Sequence, residues 1–476
     1  MAGVPWFVCG PAAWLAAAGL WRGPERMEPT PAEDWRQARV DLVIAACRDQ
    51  PTIVHCLAGL STQTLRPRRV LLVDDGGAER DHGIQLAREF ARANGLALTV
   101  VQRTWSIGKA ATLKRQARDF GGDVLFVLDG NTVLASPDYI ERCVRELYQG
   151  VGIAAACGTV EPLCPSQRRA LAATPAFQRW LDGDDYLDPL RPRDIIDRIA
   201  GAIGCGYARH IERLRQGFLA RGLANLHGGT LDPFGGAIAF RRRYLKDLFD
   251  RYEPVRGDDL TAAEDQFIAR ALAMEGYRSV RLDDIVARVQ PPPLHCLPAI
   301  AWRRAVTLLQ NDHYFDALLR SPANAMRHRW RRLWQRADKD RGERRRVREA
   351  YRQPFGERLT WRQGRPVGCG LLLLALERIG YPAALVAMAV VGRWDLLAVV
   401  VAVEVGATTL VAALVEPPGH RVGAAGRALL AAPLRYLLLA VGAVAVGGFG
   451  VLLWPARRLP WHVKRRVEGV PARSHP

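Results

Sequence analysis

The sequence predicts an α/β domain flanked by apolar segments, which hold the domain at a membrane. Between residues 39 and 312, short apolar runs alternate with stretches of helical length. Long apolar stretches lie near the start of the chain and after residue 367. Charged residues make up 24 % of the 476 residues, which is ordinary for a soluble protein and excludes a chain built only of membrane helices.

The alternation within residues 39–312 predicts a sheet with helices on both of its faces. The predicted strands cover residues 40–46, 68–75, 96–103 and 123–130. The predicted helices between them cover residues 51–63, 83–95 and 112–122. This βαβ rhythm is typical of a mostly parallel sheet, whose ligands lie at the carboxyl ends of the strands.

The first apolar segment runs from Val4 to Trp21 without a charge. An 18-residue helix rises about 27 Å, enough to cross a thin hydrocarbon core. A signal peptide has basic residues before its apolar run, whereas Arg22 and Arg26 follow this one. The pattern therefore favours a membrane anchor with the rest of the chain in the cytoplasm, with a signal peptide or a surface helix as alternatives.

Three further apolar stretches, 368–391, 396–415 and 429–454, predict about three transmembrane helices and a multi-pass protein of the cell membrane. An ionised group at mid-bilayer costs about 2.5–3.5 kcal/mol, so Glu404 and Arg435 should face protein or a wet path. A basic tail is expected on the cytoplasmic side of a membrane. Three crossings that start from a cytoplasmic domain would instead leave the tail on the opposite side. The number of crossings therefore stays open.

The net charge of +19 is concentrated in residues 320–365, which hold 16 Lys or Arg against 5 Asp or Glu. Trp330, Trp334 and Trp361 interrupt the charges, which is typical of an interfacial helix on anionic headgroups; a solvated basic helix is the alternative. No nucleic-acid-binding module accompanies the stretch, so no nucleic acid partner is predicted.

The predicted regions are an anchor and linker (1–38), the α/β domain (39–312), basic amphipathic helices (313–366), transmembrane helices (367–455) and a basic tail (456–476).

The nine cysteines include no C-x-x-C pair. Their spacing argues against a disulfide framework or a zinc ribbon, and favours a reducing compartment for the soluble part.

Acidic residues follow the predicted strands. Asp49 follows the first strand, Asp74 and Asp75 end the second, and Asp129 ends the fourth, with Asn131 two residues later. Carboxylates at strand ends can bind nucleoside hydroxyls, and carboxylate and amide oxygens can hold Mg²⁺ or Mn²⁺ on a diphosphate. Each acid could also simply close a turn.

Other residue types suited to group transfer come from loops and helix starts. Lys109, in the segment SIGKA, offers a cation for a departing diphosphate. Glu264 and Asp265 begin an amphipathic helix and offer a base for an attacking hydroxyl, or serve only as helix N-terminal acids. Trp302, Arg303 and Arg304 follow downstream, and Trp302 could equally pack in a core.

Taken in order, these blocks resemble the inverting family-2 glycosyltransferases, which have a GT-A (Rossmann-like) fold. VDDGG at Asp74 is similar to their V-D-D-G-S block, SIGKA at Lys109 to N-x-G-K-A, LDGN at Asp129 to D-x-D, and AED at Asp265 to T/G-E-D. GGAIAFRRRYL, which contains Gly236, looks like the acceptor-side segment of chitin-oligosaccharide and hyaluronan synthases. The resemblance covers residues 40–312 and extends to the membrane segments of those enzymes and of cellulose synthases.

The resemblance implies a role for each block. Asp265, with Glu264 beside it, would be the catalytic base. The nucleotide sugar would be bound by Asp49, Asp74, Asp75, Lys109 and Asp129. The metal, Mg²⁺ or Mn²⁺, would be held by Asp129 with Asn131. The acceptor and the diphosphate would meet Gly236, Trp302, Arg303 and Arg304.

The implied function is transfer of a sugar from a UDP-sugar to a growing polysaccharide, coupled to export, by a cytoplasmic domain on a multi-pass membrane protein. Two alternatives stay open. The first is single transfer to a lipid-linked or membrane glycan acceptor. The second is a catalytically weakened scaffold that assists a partner enzyme. The oligomeric state is not predicted.

The chain departs from the family pattern at three blocks. Residues 45–49 keep only Asp49 of the P-x-Y-N-E block. Asn131 replaces the second acid of D-x-D, so weaker metal binding is expected because an amide brings no charge. Residues 298–302 lack the Gln and Arg of the Q-x-x-R-W block, which weakens the prediction of processive synthesis.

Overall fold

The structure is a computed structural model. It describes residues 7–24, 34–46, 52–75, 82–104, 106–150, 152–184, 188, 190–192, 194–256, 264–323, 326–327, 330 and 368–447. Asp49, most of the predicted basic helices and the basic tail lie outside the described residues.

Eight strands and sixteen α-helices occur in the described part of the chain. The strands are β1 Val40–Ala46, β2 Arg69–Asp75, β3 Leu98–Arg103, β4 Val124–Asp129, β5 Thr132–Leu134, β6 Ile153–Pro162, β7 Ala237–Arg241 and β8 Arg278–Val289. The helices of the α/β domain are α2 Ile53–Ser61, α3 His82–Ala93, α4 Lys109–Asp119, α5 Tyr139–Gln149, α6 Pro165–Ala172, α7 Pro175–Leu181, α8 Ile195–Leu214, α9 Arg221–His227, α10 Arg242–Arg256, α11 Glu264–Met274, α12 Leu297–Tyr314 and α13 Asp316–Leu319. A π-helical segment, Arg215–Ala220, joins α8 to α9. The apolar ends of the described chain form α1 Pro11–Arg22, α14 Gly368–Val390, α15 Trp394–Val415 and α16 Arg421–Gly447.

The strands form one sheet in the order β3-β2-β1-β4-β7-β6-β8-β5. Strands β1 to β4 pair in parallel, as the βαβ rhythm predicts. The other half is mixed: β6 and β8 pair in parallel, whereas β7 runs antiparallel to both β4 and β6, and β5 runs antiparallel to β8. A fully buried strand has the same apolar pattern in either direction, so its sequence does not decide its orientation.

The register of the parallel half brings the predicted acids together. Ala46 of β1 pairs with Asp74 of β2, and Ala45 pairs with Asp129 of β4. Both acids therefore end their strands at the same edge of the sheet, on either side of β1. This edge is where ligands of such sheets lie.

Helices cover both faces of the sheet. Leu42 and Ile44 of β1 pack in the core under α2, α3 and α5, whereas Val43 points into the core under α4 and α11, because successive strand residues face opposite sides. Phe267 of α11 is buried in the second core. That packing fixes the start of α11 near the strand ends.

Three helices at the end of the described chain are long and apolar enough to cross a membrane: α14, α15, and residues Pro418–Gly447 including α16. The third begins before the predicted residue 429. Arg435 lies 2.7 Å from Glu404, and both side chains are buried inside the bundle. The prediction that these two ionisable residues face protein is confirmed.

The described part of the predicted N-terminal anchor forms only the 12-residue helix α1. Such a helix rises about 18 Å, less than a full span. Its Ala12 and Ala16 are fully buried against other helices, and Gly19 lies against Gly222 of α9. The crossing of a membrane by residues 4–21 stays a prediction.

Cys164 and Cys205 form a disulfide, which the cysteine spacing did not predict. The pair joins the loop after β6 to α8, which pack together although 41 residues separate the two cysteines. The other six described cysteines are free, so a framework of several disulfides is not present among them.

Candidate active site

One cavity of about 430 Å³ opens where the parallel strands end. It is lined by eight of the residues that the sequence predicted for the site: Lys109, Asp129, Asn131, Gly236, Glu264, Asp265, Arg303 and Arg304. These residues come from α4, the ends of β4 and β7, α11 and α12. The fold therefore gathers blocks that lie almost two hundred residues apart in the chain.

Lys109 connects the two acidic blocks. It is the first residue of α4, after Gly108, whose φ of +90° favours glycine. Its ammonium lies 2.7 Å from the Asp129 carboxylate and 2.9 Å from that of Glu264, and donates to the Gly235 carbonyl at 3.0 Å. Burial alone would lower the pKa of Lys109, but the two carboxylates outweigh it and raise the pKa, so the ammonium stays charged.

Asp265 sits at the start of α11 with both carboxylate oxygens engaged. Oδ2 accepts from the Gly235 amide at 3.2 Å and Oδ1 from the Gln266 amide at 2.8 Å. A Cβ on Gly235 would lie 2.5 Å from Asp265 Cβ, so this contact requires glycine. Burial, followed by repulsion from Glu264, raises the pKa of Asp265 to about 6. A carboxylate of this kind is suited to take a proton near neutral pH.

Asp74 and Asp75 lie beside the cavity rather than on its lining. Asp74 is buried at the end of β2. Asp75 accepts from Ser106 Oγ and from the amides of Ile107 and Gly108, and pairs with Arg103. Burial would raise the pKa of Asp75, but these hydrogen bonds lower it. In the structure this carboxylate holds the loop that leads to Lys109.

The three predicted residues on α12 separate. Arg303 and Arg304 line the cavity, whereas Trp302 packs with Leu309 against Ala445 and Val446 of α16. Neighbouring helical positions differ by about 100°, so one turn of helix cannot present all three side chains to the same cavity.

Sequence reasoning missed a charged network on the wall of the cavity next to Asp265. Arg215 pairs with Glu212 at 2.9 Å and also with Asp232. Asp232 in turn accepts from Gln266 Nε2 at 2.7 Å. In the sequence, Glu212 and Arg215 look like the i,i+3 ion pair of an exposed helix, and no other signal marks them.

The end of β4 offers oxygen ligands for a divalent metal. No group of three His, Cys, Asp or Glu that could hold a metal by itself occurs among the described residues. Mg²⁺ is commonly held by only one or two carboxylates together with the phosphates of a substrate. The Asp129 carboxylate and the Asn131 amide oxygen, which line the same cavity, fit a metal of that kind.

The chain is similar to several solved structures. The mannosyltransferase PcManGT from Pyrobaculum calidifontis, in complex with GDP-Man and Mn²⁺, is 19 % identical, with a TM-score of 0.48 over 93 % of this chain and 98 % of that chain. Glucosyl-3-phosphoglycerate synthase from Mycobacterium tuberculosis, in complex with Mg²⁺ and UDP, is 18 % identical, with a TM-score of 0.33 over 63 % of this chain and 83 % of that one. TarS 1–349 from S. aureus, in complex with UDP, is 14 % identical, with a TM-score of 0.32 over 58 % and 68 %.

No curated protein matches the chain. Residues 38–304, more than half of the chain, match the sequence profile of "Glycosyltransferase like family 2". The matched region contains every block on which the resemblance was based, and it carries the GT-A-like sheet and all eight predicted residues that line the cavity. The chain therefore belongs to glycosyltransferase family 2.

Proposed function

We propose that the protein transfers a sugar from a UDP-sugar to a growing polysaccharide at the cytoplasmic face of the cell membrane, with inversion at the anomeric carbon. The observation that carries this proposal is the convergence of Lys109, Asp129, Glu264 and Asp265 in one cavity. Three candidate membrane helices beside the α/β domain support an acceptor held at a membrane.

In the proposed mechanism, Asp49 and Asp74 bind the nucleoside, and Asp75 orders the loop that carries Lys109. Asp265 takes the proton of the acceptor hydroxyl as that oxygen attacks the anomeric carbon from the face opposite the diphosphate. Inversion follows because this is a single in-line displacement. Lys109, Arg303 and Arg304 supply positive charge to the departing diphosphate.

A divalent cation fits this scheme. Bound Mg²⁺ or Mn²⁺ would neutralise charge on the diphosphate, and Asp129 with Asn131 would hold it. Asp129 ends β4 and its amide donates to the Gly236 carbonyl at 2.8 Å, so its backbone is held in place by β7.

One observation favours a second candidate, single transfer to a lipid-linked acceptor. Besides the acidic residues, the lining of the cavity includes the apolar side chains of Leu219 and Leu223, and of Leu371 and Leu374 of α14. Apolar walls of this kind suit an acyl or isoprenoid chain. Product length, measured with purified protein and a radiolabelled donor, separates a polymer from a single-sugar product.

The Asp265→Asn variant tests the proposed function. Transfer should be abolished, while stabilisation of the protein by nucleotide sugar and Mn²⁺ in a thermal-shift assay should persist. The matched control is Asp119→Asn, since Asp119 pairs with Arg115 on the exposed side of α4. Unchanged turnover in Asp265→Asn would contradict the assignment of the base. Absence of donor-dependent stabilisation and of transfer in the unmutated protein would favour the scaffold alternative.

A further inference from the structure

A chain of polar contacts connects the base of the proposed reaction to the helical segment that packs against the candidate membrane helices. Gln266, the residue after Asp265, donates to Asp232 at 2.7 Å. Asp232 pairs with Arg215, and Arg215 also pairs with Glu212 at 2.9 Å. The Arg215 and Glu212 side chains are 16 % and 2 % exposed, so water screens that ion pair weakly, whereas the Asp232 side chain is 43 % exposed.

Arg215 is held at a place where the helix is irregular. It begins the π-helical segment Arg215–Ala220, and π-helical turns inside α-helices are frequent at functional sites. The next residue, Gln216, accepts from the Val160 amide at 2.9 Å and donates to the Val160 carbonyl at 3.3 Å. These contacts bind the segment to β6 of the sheet.

The other side of the same segment touches the membrane helices. A Cβ on Gly217 would lie 2.3 Å from a methyl carbon of Val415, at the end of α15, so the two backbones approach closely. Leu219 packs in the cluster with Ala412 of α15 and Ala428 of α16. The position of Arg215 is therefore determined jointly by the sheet and by the membrane helices.

We propose that Arg215 is a positioning residue that acts through Asp232 and Gln266 to orient Asp265 for proton abstraction. Arg215 bridges Glu212 and Asp232, and so brings the acceptor oxygen of Asp232 to the side chain of Gln266. The backbone N–H of Gln266 in turn donates to Asp265 Oδ1 at 2.8 Å, so the side chain of Gln266 links Asp232 to the backbone that holds Asp265. The inference rests on the proposed role of Asp265 as the base.

Two variants of the full-length protein in detergent test the inference. Arg215→Lys keeps the charge but loses the planar fork that reaches both carboxylates. Gln266→Met keeps the volume but cannot donate to Asp232. Displacing a catalytic base by about an ångström or less slows the reaction strongly. Each variant should therefore lower kcat about tenfold or more. The KM for the donor should stay within about twofold, because the network touches Asp265 and not the strand ends.

A pH–rate profile distinguishes positioning from simple structural support. The charged groups around Asp265 are Glu264, Lys109, Asp232 and Arg304. Arg215→Gln removes the cation beside Asp232, so the negative charge of Asp232 should raise the pKa of Asp265. The acid limb of kcat should then move to higher pH. Arg215→Lys keeps the cation and should move the acid limb less. The control is Arg213→Gln, because Arg213 lies two residues before Arg215 and pairs with Glu161 at the surface instead.

The outcomes separate this inference from the proposed function. If Asp265→Asn keeps full turnover, the proposed base is wrong and the inference falls with it. If Asp265→Asn is inactive but Gln266→Met has the kcat and acid limb of the unmutated protein, the inference alone is overturned. A fall in kcat together with equal losses in donor affinity and thermal stability would also overturn it, since that pattern indicates support of the fold. Should Arg215→Lys fail to fold, Gln266→Met decides.

Discussion

The Lys109 ammonium lies 2.7 Å from the Asp129 carboxylate, although the two residues belong to different elements, the start of α4 and the end of β4. The same ammonium reaches Glu264 at 2.9 Å. One cation thus joins the block proposed to hold the metal and donor to the block proposed to activate the acceptor. The proposed transfer requires the donor and the acceptor to be held next to each other, so the two blocks must keep this relative position.

Replacement of Lys109 by Met should lower transfer about a hundredfold, a loss typical of removing one donor to a developing negative charge. The variant also leaves Asp129 and Glu264 without the cation between them. The measurement is kcat with a UDP-sugar at saturating Mn²⁺. The matched control is Lys246→Met on the exposed side of α10, which should keep full activity. Equal rates in the two variants would contradict the role of Lys109.

The rate should depend on pH through Asp265. Burial and the neighbouring Glu264 raise the pKa of Asp265 to about 6. A base works in its ionised form, so kcat/KM should fall roughly tenfold per pH unit below that value. Glu264→Gln removes the like charge and should move the acid limb to lower pH. A profile that is flat on its acid side would argue against Asp265 as the base.

Metal binding should respond to the charge at position 131. Asn131→Asp adds a second carboxylate beside Asp129 and should tighten Mn²⁺ binding roughly tenfold, because ligand charge tunes affinity for hard cations. Mn²⁺ binding to the purified protein can be titrated by electron paramagnetic resonance without any sugar. Asp129→Asn is the opposite control and should weaken binding. If neither variant changes the affinity, the metal does not bind at these residues.

The buried ion pair among the candidate membrane helices should matter for stability. Glu404 accepts from Arg435 at 2.7 Å and from the Val8 amide at 2.8 Å. Arg435→Met leaves Glu404 buried without its cation and should cost about 3–5 kcal/mol in the free energy of unfolding. Thermal unfolding in detergent measures the loss. Arg393→Gln breaks the exposed pair with Asp395 and should change little. Equal melting temperatures for both variants would contradict this prediction.

The contact between α1 and α9 should tolerate only glycine at position 222. A Cβ there would lie 2.1 Å from the Ala16 carbonyl oxygen, so Gly222→Val must push the helices apart. Overpacking of this kind costs about 1–3 kcal/mol. Gly206→Ala in α8 is the control, because a Cβ there meets no atom within 4 Å and alanine favours a helix. Thermal unfolding of the two variants should therefore shift in opposite directions.

Local patterns predicted the first half of the domain closely. The predicted strands 40–46 and 123–130 agree with β1 and β4 to within one residue. A short apolar run between turn residues predicts a strand that is buried on both faces of a sheet. This pattern depends only on residues that are close together in the sequence. The direction of β7 and the disulfide between Cys164 and Cys205 depend on contacts between distant segments, which no local pattern encodes.

The sequence by itself determined the family and the residue types needed for transfer, because short motifs carry them. It also determined the apolar helices, because hydropathy predicts them. Only the tertiary structure decided which candidates share a cavity: it placed Arg303 and Arg304 inside, turned Trp302 toward α16, and tied Asp75 to the loop before Lys109. Helix rotation and strand register set these directions, and both follow from packing over the whole chain. The same packing creates the network of Arg215, since its partners meet only when the π-helical segment lies between the sheet and the candidate membrane helices.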